Sequence, residues 1–143
     1  MSKSILCAID ISNSGEDAQV IERAAKLAAL EEAQLDVVTV LPDFGMSVVG
    51  SFFNQDHHET VMAEAKKKLN EEVTKVIGDA QNTKVRHIIS TGNVYDEVLK
   101  VANEAGSALI VVGAHKPDFK DYLLGPNAAR IVRHSKCSVY VVR

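Results

Sequence analysis

Asp10 closes a short apolar run, residues 5–9, that is rich in isoleucine. A carboxylate at the end of such a run can accept a hydrogen bond from a ligand's amino group or sugar hydroxyl, or it can cap the helix that follows. Gly113 closes another run, ALIVVG. Its missing side chain lets a phosphate approach the backbone, or marks a plain turn. Gly125 and Pro126 have the order of a helix start, with glycine at the N-cap and proline at the first helical position. Helix N-termini present unpaired N–H groups and partial positive charge, which suits a phosphate. The charge pattern agrees. From Gly113 to Arg143 there are six Lys or Arg residues, at 116, 120, 130, 133, 136 and 143, against Asp118 and Asp121, whereas the preceding residues are net acidic. The plainer alternative makes Lys116 and Lys120 loop charges and Arg130 and Arg133 a solvated helix face.

Other groupings carry less. His57 and His58 are adjacent, so on a helix they point apart, and no third metal ligand lies near them in sequence. Thr91, Gly92 and Asn93 read as a turn and helix cap that can also line a pocket. Ser90, His87 and Asp96 form no recognisable nucleophile motif, and Gly-x-Ser-x-Gly is absent. Neither a G-x-x-x-x-G-K-[ST] phosphate loop nor a G-x-G-x-x-G after the first run is present. That argues against a P-loop enzyme and against a dinucleotide-binding dehydrogenase.

The elements that must position these residues follow from periodicity. Residues 5–9 suit a strand buried on both faces, and after the turn residues Ser12, Asn13, Ser14 and Gly15, apolar residues at 18, 21, 25, 28 and 29 predict a helix to about Glu32. LDVVTVL predicts a second strand closed by Pro42, and a loop leads to a helix over about 57–77 with Lys66, Lys67 and Lys68 on a solvated face. VRHIIS is a third strand, NVYDEVLKVANEAG a helix ended by Gly106, ALIVVG a fourth strand, and a last helix precedes the strand SVYVVR. Five near-continuous apolar strands alternating with four helices predict a doubly wound parallel sheet. Ligands of such sheets bind beyond the carboxyl ends of the strands, where strand order reverses, so strand-ending residues matter most.

The chain has 143 residues, 46% of them hydrophobic and 24% charged, with three prolines, which suits one folded domain and not a disordered one. A formal charge of -3 argues against a nonspecific nucleic-acid binder. Cys7 and Cys137 lie in apolar stretches and read as core. The N-terminal apolar run is too short for a signal peptide and no stretch is long enough to cross a membrane, so a cytoplasmic protein is expected.

The strand ending in Ile9-Asp10, the glycine-spaced loop after VVG, and the close LLGPNAARIVRHSKCSVYVVR are similar to the universal stress protein family, over essentially the whole chain. The resemblance implies a single α/β domain over 1–143, a doubly wound five-stranded parallel sheet with helices on both faces, Rossmann-like and of the adenine nucleotide alpha hydrolase-like kind. Nucleotide-binding members carry Gly-x2-Gly-x9-Gly-Ser/Thr, whose loop wraps ribose and phosphates while an aspartate after strand one and a valine ending strand two hold the adenine. By match these positions are Gly113, Gly125, Asp10 and Val40, and the implied site also takes in Ala8, Ile9, His115, Lys116, Pro126 and Asn127. The departures are specific. Lys116 stands at the second glycine, the loop is one residue shorter, and Pro126 replaces the Ser/Thr, which removes a hydroxyl and a backbone donor together. LLG-x-NAA with the shorter loop resembles a small bacterial subgroup in which adenine-nucleotide binding is also found, and Lys116 can act as a point charge on phosphates.

The function this implies is a nucleotide-responsive regulatory or stress-tolerance protein that binds ATP or AMP, with or without Mg²⁺. Its partners would be the nucleotide and a second copy of the chain, joined through the last strand, with no nucleic acid and no membrane insertion. One alternative is a slow ATPase or autophosphorylating enzyme with Asp118 or Asp121 on Mg²⁺, although no positioned general base is visible. The other is a dimeric scaffold without nucleotide, for which Pro126 is the support.

Overall fold

In order along the chain come β1 (Ser4–Ile9), α1 (Ala18–Leu30), β2 (Gln34–Leu41), α2 (Gln55–Ile77), α3 (Asp79–Asn82), β3 (Arg86–Thr91), α4 (Val94–Ala105), β4 (Ser107–Gly113), α5 (Pro126–His134) and β5 (Ser138–Val142). They belong to a computed structural model that describes residues 3–11, 17–41, 55–114 and 126–143, with 55–58 as backbone. The strands form one sheet in the order β3-β2-β1-β4-β5, and every neighbouring pair is parallel. From β1 the chain winds outward through β2 to β3, then returns past β1 to build β4 and β5 on the other side.

Side chains of a strand alternate between faces, and the alternation sorts the core into two layers. Ile5, Cys7 and Ile9 pack with Val20, Ile21 and Ala24 of α1 and with Leu69 and Val73 of α2. Leu6, Val38, Ile110 and Val112 pack with Val98 and Val101 of α4 and with Ala128 and Ile131 of α5. The doubly wound parallel sheet with helices on both faces is therefore the architecture. Apolar residues on both faces of β1 explain its continuous hydrophobic run.

Three details differ from the sequence reading. The helix expected to reach about Glu32 ends at Leu30, because Glu32 turns into the left-handed region at φ 52°. The Ala33 N–H then bonds the Ala28 carbonyl at 2.8 Å and the Glu32 N–H bonds that of Ala29 at 3.3 Å, a Schellman stop made without glycine. A fifth helical piece, α3, follows Gly78, whose φ of 85° breaks α2. It is pinned by Asn82, whose buried amide donates to Asn70 Oδ1 at 2.6 Å and Thr74 Oγ1 at 2.7 Å. The Asn82 Oδ1 lies 2.6 Å from His87 Nε2. Since that oxygen only accepts, His87 donates from Nε2. Burial, and then Lys66, push the His87 pKa down, so the network holds a neutral ring. His87 thus serves packing between α3 and β3.

Cys137, expected in the core, is only half-buried, since it sits in the turn between α5 and β5, where its N–H donates to Ser135 Oγ at 3.1 Å. Cys7 is fully buried, and burial, with Asp17 nearby, holds its thiol well above the ordinary range.

One charge lies inside the sheet layer without any sign in the apolar pattern. Asp36 on β2 is 0% exposed and directly opposite Arg86 on β3. The guanidinium grips it with two bonds, Nε to Oδ1 at 2.5 Å and Nη2 to Oδ2 at 2.8 Å. A buried carboxylate is tolerated only when paired in this way, and removing one partner strands the other. Arg86→Ala is expected to cost about 3 kcal/mol of stability, read as a lower urea midpoint at unchanged slope. Replacing Asp36 and Arg86 together by leucine should recover most of that loss.

Candidate functional site

Strand order reverses between β1 and β4, and the place beyond the carboxyl ends of such strands is where α/β sheets bind ligands. The register says which residues flank it. Two positions beyond the Cys7↔Val111 pair stand Ile9 and Gly113, and one position beyond Ile9↔Thr39 stand Asp10 and Val40. Asp10 and Gly113, singled out as strand ends, and Val40, taken from the family match, thus lie at the carboxyl ends of three adjacent strands. Ala8 and Val40, both half-buried, lie on the α4 and α5 face. Ile9 is buried in the opposite layer, which leaves its backbone at the strand end.

Asp10 is exposed. Its alternative role as a helix cap is removed by the position of α1, which starts at Ala18 with Asp17 as N-cap residue. Asp17 itself makes no side-chain capping bond. Instead its Oδ2 accepts the Asp10 backbone N–H at 2.6 Å, seven residues back along the chain. Sequence reasoning passed over Asp17. The available signal was an acid just before the first apolar-periodic residue, which ordinarily denotes a cap.

Gly113 has a cause that its type alone did not reveal. A Cβ built there meets Val20 Cγ2 at 3.1 Å and Asp17 Oδ1 at 3.6 Å. A side chain at this position would press on α1, so the close approach of the helix is one reason for glycine here. That approach brings Asp17 across the gap between β1 and β4.

Pro126 is the first residue of α5 and exposed, as its type predicts; Asn127 after it is half-buried and Ala128 buried. His115, Lys116 and Gly125, with Lys120, Asp118 and Asp121, lie outside the described residues. Arg130 and Arg133 are exposed, but Arg130 stacks its guanidinium 4.9 Å from the centre of the Tyr95 ring on α4. At the end of β3, Gly92 donates its N–H to the Leu41 carbonyl at 2.9 Å, tying the β3 turn to β2. Asn93 takes the N-cap place of α4 with extended backbone, yet its side chain makes no capping bond. Among the described residues no group of three His, Cys, Asp or Glu is arranged to hold a metal, and no helix is long and apolar enough to cross a membrane.

The family model described as the universal stress protein family matches residues 1–143. Universal stress protein A homolog 1 of Coxiella burnetii is 36% identical over 145 residues, covering 98% of this chain and 95% of the relative. The universal stress protein from Archaeoglobus fulgidus in complex with dAMP superposes with a TM-score of 0.71 at 19% identity, over 99% of this chain and 98% of that one. A universal stress protein in complex with cAMP gives a TM-score of 0.65 at 20% identity, over 99% and 97%.

Packing at Gly113 is open to direct test. Gly113→Ala is expected to cost about 1 kcal/mol and Gly113→Val about 3, measured by denaturant unfolding. In a Val20→Ala background, the alanine at 113 should cost almost nothing.

Proposed function

Because this chain belongs to the universal stress protein family, we propose that it binds an adenine nucleotide, ATP or AMP, at the carboxyl ends of β1, β2 and β4, and acts as a regulatory or stress-tolerance dimer. The observation that carries the reading is that Asp10, Val40 and Gly113 stand at the carboxyl ends of three adjacent strands, beside the point where strand order reverses. It is supported by relatives of the same fold crystallised with dAMP and cAMP. Asp10 accepts a hydrogen bond from the adenine amino group or a ribose hydroxyl, and Val40 with Ala8 gives the base an apolar wall, backed by the strand backbone at Ile9 and Gly113. Phosphates lie toward the start of α5, at Gly125, Pro126 and Asn127, with His115 and Lys116 in the connecting segment. Mg²⁺, where present, arrives on the phosphates. The setting is cytoplasmic, in keeping with two free cysteines.

The dimer forms through β5. β5 pairs with β4 along one edge, and Tyr140 on β5 is 37% and Val132 on α5 44% exposed, an apolar margin suited to antiparallel pairing with a second copy. A scaffold without nucleotide is the second reading, favoured by proline at the first position of α5, where a hydroxyl and an N–H would otherwise face the phosphate.

Denaturation of freshly purified protein should release adenine nucleotide detectable by mass spectrometry, and Asp10→Ala should weaken AMP or ATP binding by about tenfold in calorimetric titration. Absence of both release and binding at millimolar nucleotide leaves the scaffold reading. Tyr140→Lys sets like charges near the two-fold axis and should convert dimer to monomer in sedimentation; a dimer that persists would refute the β5 interface.

A further inference from the structure

An aspartate at an N-cap ordinarily bonds the free N–H groups of its own first turn. Asp17 holds that place on α1 and makes no such bond. Its Oδ2 reaches the Asp10 N–H at 2.6 Å, while Oδ1 stands 3.6 Å from where a Gly113 Cβ would be. One carboxylate therefore bonds the end of β1 and lies beside the end of β4, the two strands between which order reverses. The influence of Asp17 on Cys7, in the core beneath, agrees with a carboxylate seated against the sheet end.

We infer that Asp17 is a positioning residue of the proposed nucleotide site: by gripping the Asp10 amide it sets the direction in which Asp10 meets the ligand. The physical route is short. Asp10 is the first residue past the end of β1. A strong, charge-assisted bond to its N–H holds the peptide plane between Ile9 and Asp10. With that plane held, the Cα–Cβ bond of Asp10 has a narrow range of directions, and its carboxylate meets a ligand without first losing backbone freedom. A local rule of helix capping is given up where a site gains order, which is where such departures are expected.

The inference rests on the nucleotide reading, and titration with AMP separates the two. Wild type, Asp10→Ala, Asp17→Ala, Asp17→Asn and the Asp10→Ala/Asp17→Ala double variant are compared, each with its thermal melt. Asp17→Ala should weaken AMP about tenfold, Asp17→Asn, which keeps a carbonyl acceptor for the Asp10 N–H, should restore most of the affinity, and the double variant should bind no more weakly than Asp10→Ala alone. Should Asp17→Ala not fold, Asp17→Ser, whose hydroxyl is too short for the same reach, takes its place. Wild-type affinity in the alanine or serine variant, no recovery in Asp17→Asn, or losses that simply add in the double variant would each overturn the positioning role while leaving nucleotide binding intact. A wild type that binds no AMP removes the nucleotide reading and this inference with it.

Discussion

Parallel strands cannot be joined by hairpins; each needs a crossover that carries the chain back over one face of the sheet. In this molecule β1 lies at the centre, bonded to β2 on one side and β4 on the other. The chain covers one face while winding toward β3 and the other while winding toward β5. The helices part where the winding changes side, and the carboxyl ends of β1 and β4 are left without a crossover between them. The point of reversal is a consequence of the connectivity, so its place does not depend on any one side chain. What side chains decide is its chemistry.

Two aspartates illustrate different ways of holding a negative charge against this sheet. Asp36 is enclosed and is answered by a forked guanidinium from the neighbouring strand, a rigid arrangement that locks β2 to β3. Asp17 is answered by a backbone N–H beyond the end of β1, and so connects a helix start to a strand end. The first acts on the sheet away from the point of reversal. The second lies beside it, and its position depends on Gly113 letting α1 close in.

The polar cluster of Asn70, Thr74, Asn82 and His87 plays a comparable part at the opposite margin, fastening α2 and α3 to β3. Tyr95 and Arg130 link α4 to α5 on the other face. The sheet margins are thus held by specific polar and cation–π contacts, while the interior of both layers is aliphatic.

Fold class was legible in the residue pattern because burial on both faces writes itself as continuous apolar runs, LDVVTVL and ALIVVG, and helices as 3.6-residue spacing. Asp10 and Gly113 were legible as strand ends for the same reason. Period could not disclose α3, whose four residues are too few to show one, nor the stop at Glu32, where a residue of no turn preference adopts a glycine conformation. The Asp36–Arg86 pair and the Asp17 bond were hidden because their partners are 50 and 7 residues away, the first meeting only when β2 and β3 align and the second only when α1 packs on the sheet. Residue type and spacing by themselves determined which segments form strands and where those strands end. Only the tertiary structure decided what a side chain at Gly113 would meet and what Asp17 holds, since both answers are set by how closely α1 lies on the sheet.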